Sequence, residues 1–312
     1  MREFQHWTGL SPDDRGASVA LGNFDGVHLG HQSVIGQAKA AGDALGAPLG
    51  VATFEPHPRQ FFQPAAPDFR LMNAESRAHR LEKLGVERLY VLSFDAALAG
   101  MSADAFVGEI LVAGLGVRHV TVGADFRFGK GRSGSAATLE ALGQAHGFGV
   151  TVARLVDIGG LEVSSTAIRT ALAEGRPRDA AAMLGHWHRI DGEVLHGDKR
   201  GRGLGYPTAN MSVAGLHLPK LGIYAVKIDI LTGPDRGTFG GVASLGVRPM
   251  FGENRPNLES FLFDFRGDLY GQHLSVALID YIRSEMTFGG LPALIAQMDD
   301  DSARAKAILA AL

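Results

Sequence analysis

Two histidines three residues apart close the string Gly22-Asn23-Phe24-Asp25-Gly26-Val27-His28-Leu29-Gly30-His31, which follows an apolar run. The order reads as a strand, a glycine-bearing turn and a helix start, where free backbone amides and the helix dipole attract anions. The glycines let phosphate approach the backbone. His28 and His31 then fall on one helical face and can donate to phosphate oxygens or to a leaving pyrophosphate. The plain alternative is a strand–turn–helix with two surface histidines; the place of the pair at the end of a strand, behind two glycines, favours chemistry. A second phosphate clamp is read at Val163-Ser164-Ser165-Thr166-Ala167-Ile168-Arg169. Ser164 or Ser165 can cap a helix there, and free amides plus Arg169 hold an anion. Capping alone would account for Ser164 but not for Arg169.

The second half has its own dense segment, His196-Gly197-Asp198-Lys199-Arg200-Gly201-Arg202-Gly203-Leu204-Gly205-Tyr206-Pro207-Thr208-Ala209-Asn210. Its glycines and its cations, Lys199 and Arg202 among them, suit a backbone cradle around phosphates, although a basic loop would explain the cations singly. Thr208 and Asn210 start a strand and point the same way, and their oxygens are hard ligands suited to Mg²⁺. In Leu258-Glu259-Ser260-Phe261-Leu262-Phe263-Asp264-Phe265, alternation puts Glu259 on the face of Phe261, Phe263 and Phe265. A carboxylate on an apolar face is costly unless used or paired. Partial desolvation should raise its pKa, which suits a general base; a buried ion pair with Arg283 is the competing reading.

These residues need elements to position them. Apolar runs at 17–24, 48–54, 88–94, 119–126 and 149–157 alternate with amphipathic stretches such as 102–116, capped by Ser102, and 135–147. That rhythm predicts a doubly wound parallel sheet, with ligands beyond the carboxyl ends of its strands. Helices at 164–175 and 177–185 follow. From about 188 the pattern becomes all-β, with strands at 188–196, 222–231, 238–247, 258–265 and 273–282. Tyr224, Val226, Ile228 and Ile230 share one face. A helix over 291–312 ends the chain. The expected fold is α/β plus all-β: an N-terminal parallel-sheet domain, 1–186, and a C-terminal small antiparallel barrel with a terminal helix, 187–312.

Composition narrows the classes. At 312 residues with 46% hydrophobic and 20% charged, the chain is globular and long enough for two domains. A net charge of −3 argues against a nucleic-acid partner. No cysteine is present, which excludes disulfides, thiolate metal sites and cysteine nucleophiles. The opening MREFQHWTGLSPDDRG has no apolar stretch, and no run approaches a membrane span, so a cytoplasmic protein without membrane contact is expected. Gly129-Lys130-Gly131-Arg132-Ser133-Gly134 matches GxGxxG, with Asp157 beyond the next strand. It would suit a nicotinamide-dependent oxidoreductase, but Ala124 to Phe128 separate it from the strand, so it reads as a mobile basic loop.

The first histidine string resembles the HxGH signature of nucleotidylyltransferases. The longer GNFDGVHLGHQ is similar to bacterial bifunctional riboflavin kinase/FMN adenylyltransferase, also called FAD synthetase. Phe54-Glu55-Pro56-His57-Pro58-Arg59, Val122-Gly123-Ala124-Asp125-Phe126-Arg127-Phe128-Gly129 and the 163–169 string extend that resemblance across the first domain. The 196–210 segment, LPKLGIYAV, GVASLGVRPMF, DLYG and IRSEMTF extend it through the second.

The resemblance implies two reactions. Riboflavin plus ATP would give FMN plus ADP in the barrel, and FMN plus ATP would give FAD plus pyrophosphate in the first domain. It implies adenylyl-site ATP contacts at Gly22, Asn23, Phe24, Asp25, Gly26, His28, Gly30, His31, Ser164, Ser165 and Arg169. The FMN of that site would meet Phe54, Pro56, His57, Pro58, Phe61, Asp125 and Phe128. Prolines stiffen this loop, where an aromatic could cover the isoalloxazine ring, although core packing explains Phe61 equally well. In the barrel, Gly197, Lys199, Arg202, Gly205, Thr208 and Asn210 would hold MgATP, Glu259 would activate the riboflavin 5′-hydroxyl, and Arg283 and Phe288 would lie near the flavin. Ser244 and Phe261 depart from the family, which carries Asn at the first position and often His at the second. A flavin- or nucleotide-binding regulator with degenerate sites is the alternative of another class, and intact His28, His31, Arg169 and Glu259 argue against it.

Overall fold

The structure is a computed structural model that describes residues 1–154, 157–158, 161–196, 206–250 and 253–312. Gly197, Lys199, Arg202 and Gly205 lie outside them. By compactness the chain divides into Met1–Ala66 with Arg77–Val163, and Pro67–Ser76 with Ser164–Leu312.

The first unit is built on β1 (Arg2–Phe4), β2 (Ser18–Leu21), β3 (Leu49–Glu55), β4 (Arg88–Ser93), β5 (His119–Gly123) and β6 (Gly149–Ala153), all parallel, in the order β1-β4-β3-β2-β5-β6. The inner strands β2 to β5 are near-continuous apolar runs because both faces are covered; all four residues of β2 are buried. Helix α1 (Leu29–Leu45) leads from β2 to β3, and the short α2 (Pro58–Phe62) follows β3. β2 has β3 on one side and β5 on the other, so the strand order reverses there. The histidine string leaves the carboxyl end of β2, at the switch point where such sheets bind ligands.

The stretch expected as a helix over 102–116 is an α-turn, Ala103–Ala105, continued by wider π-turns over Phe106–Gly114. Ser102 caps it, its Oγ accepting the Ala105 N–H at 3.1 Å. The 129–134 stretch carries secondary structure. Arg127–Phe128 pairs antiparallel with Gly134–Ser135 around a 3₁₀ turn, and the Lys130 N–H donates to the Met101 carbonyl at 2.6 Å.

The second unit holds α3 (Ser165–Ala173) and α4 (Pro177–Leu184), then β7 (Arg189–Glu193), β8 (Ala209–Ser212), β9 (Gly222–Ile230), β10 (Gly237–Met250), β11 (Glu253–Leu262) and β12 (His273–Arg283), and finally α5 (Leu291–Ala310). The strands are antiparallel in the order β7-β12-β9-β10-β11-β8. The Leu195 N–H donates to the Asn210 carbonyl at 2.8 Å, joining the chain beyond β7 to β8 and nearly closing the barrel. Tyr224, Val226, Ile228 and Ile230 point into the core, as their alternation predicts, with Leu245, Leu258 and Leu262. Helix α5 covers part of the outer face, where Ala305 packs with Phe263 and Ile282. Among the described residues no helix is long and apolar enough to cross a membrane.

His188 lies just before β7 and is 3% exposed. Burial, aided by the nearby imidazoles of His186 and His217, pushes its pKa down to about 3. The unfolded chain therefore takes up this proton first as pH falls. The stability tied to neutral His188 is fully present above about pH 6.5 and is lost toward pH 3, at up to roughly 1.4 kcal/mol per pH unit. The melting temperature of the barrel unit is expected to fall steadily from pH 7 to pH 4, and less steeply in a His188→Leu variant. Equal pH slopes in the two proteins would remove His188 from this role.

Candidate active sites

At the end of β2 the backbone bends sharply. Phe24, Gly26 and Val27 have φ of 51°, 88° and 44°. A left-handed β-branched residue costs on the order of 1–2 kcal/mol, so the surroundings must hold it. Val27 is fully buried, and its carbonyl accepts Gln32 Nε2 at 2.9 Å. Thr53 Oγ1 donates to the Asn23 carbonyl at 3.1 Å, pinning the turn to β3.

The two imidazoles meet, but not on one helical face. His28 precedes α1 as its N-cap, and its Nδ1 accepts the His31 N–H at 3.3 Å. The rings stack with centroids 3.6 Å apart and planes 18° apart. Because Nδ1 accepts that N–H, the ring proton of His28 belongs on Nε2. Gly30 leaves room for this stack: a Cβ there would stand 3.0 Å from His28 Cε1. Burial first, and His28 second, hold the His31 pKa well below the usual imidazole value, so His31 is neutral at pH 7. Its Nδ1 is buried without a hydrogen-bond partner. Phe24 meets His31 edge-on at 5.2 Å.

The parallel pairing of β2, β3 and β5 brings the loops after them to the same sheet edge. His57 caps α2, its Nδ1 accepting the Arg59 N–H at 3.1 Å, with Pro58 as the first helical residue after Pro56. Phe61 is half-buried, its ring 5.4 Å from Phe94 and 5.1 Å from Phe62. Phe62, which the sequence reading passed over, is 65% exposed beside it. Phe54 and Phe128 are core residues, packed on Phe106 at 6.4 Å and 5.6 Å. Asp125 is exposed in the turn after β5. Ser164 is the helix cap: its Oγ accepts the Ala167 N–H at 3.2 Å, and Ser165 opens α3. Arg169, on the same helix, donates from Nε to the Phe69 carbonyl at 2.6 Å.

In the barrel, Glu259 is half-buried and lies cross-strand between Asn210 of β8 and Ser244 of β10. The neighbouring Leu258 and Leu262 point inward, which places Glu259 and Phe261 on the outer face, toward α5. Phe265 does not share that face. β11 ends at Leu262, Asp264 takes φ 58°, and Phe265 turns to pack on Phe239 at 5.2 Å. Arg283 does not make the expected pair with Glu259; its guanidinium is held by Asp301 of α5, with Nη2 to Oδ2 at 2.6 Å.

Two clefts flank Thr208. The first, about 160 Å³, is lined by Thr208, Ser244, Glu259, Phe261, Arg283 and Phe288, with Tyr206, Glu285, Met298 and Asp301 among the others. The second, about 360 Å³, is lined by Thr208 and Asn210 together with Pro207, Arg266, Asp268 and Tyr270. Asn210 Oδ1 accepts Asn257 Nδ2 at 2.9 Å and keeps a second lone pair for a cation. One or two neutral oxygens beside a phosphate chain fit Mg²⁺, which takes the rest of its shell from phosphate and water. The terminal helix adds cleft-lining residues that the sequence did not single out: Met298 belongs to the apolar stripe of Leu291, Leu294 and Ile295, and Asp301 to the acidic run that begins at Asp299.

Residues 10–167 match the FAD synthetase family and residues 184–309 the riboflavin kinase family. A bifunctional riboflavin kinase/FMN adenylyltransferase of Pseudomonas fluorescens is 42% identical over 302 residues, covering 96% of both chains. Relatives with the same description from Haemophilus influenzae and Escherichia coli K12 are 39% and 37% identical; the alignments span 94% of both chains in the first case, and 93% of this chain and 92% of the relative in the second. A crystal structure from Streptococcus pneumoniae, described as a macrolide-efflux protein, superposes with a TM-score of 0.82 at 29% identity and covers 96% of each chain. With both halves matched and identity sustained from end to end, the chain belongs to the bifunctional riboflavin kinase/FMN adenylyltransferase family.

Proposed function

We propose that each of the family's two reactions has its own site in this chain. The barrel phosphorylates riboflavin with ATP, giving FMN and ADP. The parallel-sheet domain joins FMN to the adenylyl group of ATP, giving FAD and pyrophosphate. The observation that carries the kinase assignment is the pair of clefts sharing Thr208, with Glu259 in one and Asn210 in the other. The first cleft, with its carboxylate and apolar walls, suits a flat flavin and its ribityl hydroxyl. The second suits the nucleotide. The 5′-hydroxyl oxygen attacks the γ-phosphorus, the bond to the ADP oxygen breaks, and Glu259 takes the hydroxyl proton. Mg²⁺ held through Thr208 and Asn210 would neutralise charge on the phosphate oxygens. Positioning and charge neutralisation supply most of such catalysis.

In the first domain, a phosphate oxygen of FMN attacks the α-phosphorus and pyrophosphate leaves. The bent turn after β2 would offer amides to the triphosphate, and the His28 imidazole would donate to it. His31, neutral in the free protein, gains a reason to take up a proton when the triphosphate arrives. Phe61 with the 54–58 loop receives the flavin. With ATP consumed at both sites, the cytoplasm is the compartment that fits.

The two activities divide at 186/187 in this account, and a cut there tests it. Residues 187–312 are expected to turn riboflavin into FMN and stop. The fragment should melt below the full chain. It loses the Arg178–Asp280 pair at 2.8 Å, the Asn73 bond to the Asp191 carbonyl at 2.8 Å and the Glu75–His273 pair at 2.8 Å. Product chromatography decides: a folded fragment that makes no FMN refutes an autonomous kinase.

A further inference from the structure

Arg283 closes β12, and Asp301 lies midway along α5. The contact is a full fork. Arg283 Nε donates to Oδ1 at 2.8 Å and to Oδ2 at 3.1 Å, and Nη2 donates to Oδ2 at 2.6 Å. Gln297 Nε2 adds a bond to Oδ1 at 3.1 Å, and Arg283 Nη1 donates to the Ser284 carbonyl at 2.8 Å. The guanidinium carbon stands 5.9 Å from the centroid of the Phe288 ring. The two side chains are 14% and 4% exposed, so both charges are largely out of water. Both line the first cleft.

A buried carboxylate persists only with strong partners, and a long arginine is useful to a ligand only if its orientation is fixed beforehand. The orientation of Arg283 is thus set by a helix from the far end of the chain. We propose that Asp301 is a positioning residue for riboflavin phosphorylation: by fixing Arg283 it sets the affinity of the cleft for the flavin. The inference rests on the assignment of riboflavin to that cleft.

The test is a mutant cycle in the full-length chain, read as the riboflavin KM and as the riboflavin Kd from quenching of flavin fluorescence. Asp301→Asn keeps the shape and removes the charge. It is expected to raise both values about tenfold, with kcat and the KM for ATP within about twofold and conversion of FMN to FAD unchanged. Asp301→Glu, which keeps the charge and so the fold but shifts the guanidinium, should fall between the two. In an Arg283→Met background, Asp301→Asn should change the riboflavin KM by less than about twofold, because nothing is left to position. Wild-type KM in a folded Asp301→Asn or Asp301→Glu protein overturns the proposal, as does an equal change in both backgrounds. Should Asp301→Asn fail to fold, Asp301→Glu alone decides. If Arg283→Met itself leaves riboflavin binding untouched, the cleft assignment fails instead.

Discussion

Glu259→Gln is expected to lower FMN formation from riboflavin by about 10²–10⁴-fold while FMN supplied directly is still converted to FAD. Gln keeps the shape of the side chain and one carbonyl acceptor but cannot take a proton at neutral pH. Position 259 lies between Asn210 and Ser244 on the outer barrel face and lines the same cleft as Thr208. On the proposed assignment a substitution there would meet the hydroxyl end of a bound flavin and leave the inward-facing Leu258 and Leu262 in place. The loss should appear in kcat, with riboflavin binding little changed, since the carboxylate acts in the transition state. A near-native rate in the purified variant would leave Glu259 a structural neighbour of Asn210 and Ser244. The reaction would then proceed without a base, given how little covalent chemistry phosphoryl transfer asks of the protein.

Replacing His28 and His31 together by Ala is expected to abolish FAD formation and spare FMN formation. The stacked pair supplies the Nε2 donor of His28 and the neutral ring of His31, and losing such preorganised donors typically costs about 10²–10³-fold each. The two losses should not simply multiply, because His28 Nδ1 holds the His31 N–H and the rings support each other. Loss of His28 also removes the N-cap of α1, at about 1 kcal/mol, so the variant should melt slightly lower yet remain folded. FMN should accumulate in its reaction with riboflavin. If a well-folded variant makes neither product, the sites are coupled or misassigned.

Much of this was legible in the sequence because its signals are local. The five long strands of the sheet are apolar runs, and the histidine string needs only its order to be placed at a strand end. Other features depend on what another element covers. β1 (Arg2–Phe4) is a three-residue edge strand with no apolar run to announce it. The spacing of His28 and His31 suggested one helical face, but the helix begins one residue later and the first imidazole becomes its cap. Alternation in β11 correctly separated Glu259 from Leu258, but the apolar face Glu259 shares with Phe261 is the outer one, covered by α5, and not the barrel's inner face as the alternation suggested. Phe265 left the expected face because Asp264 adopts φ 58°, a turn that period-two counting cannot see. The partner of Arg283 lies eighteen residues further on, in an acidic run that gives no hint of burial.

The central claim is that one chain performs two attacks on two different phosphorus atoms of ATP. Isotope position tests this without any variant. Riboflavin and MgATP are incubated with the full-length protein, once with label in the γ-phosphate and once with label in the α-phosphate, and the flavins are separated over time. The account predicts γ-label in FMN first and then in the flavin-side phosphate of FAD, with α-label in FAD alone. Label from the α-phosphate in FMN, or FAD formed from riboflavin without γ-label, would contradict it.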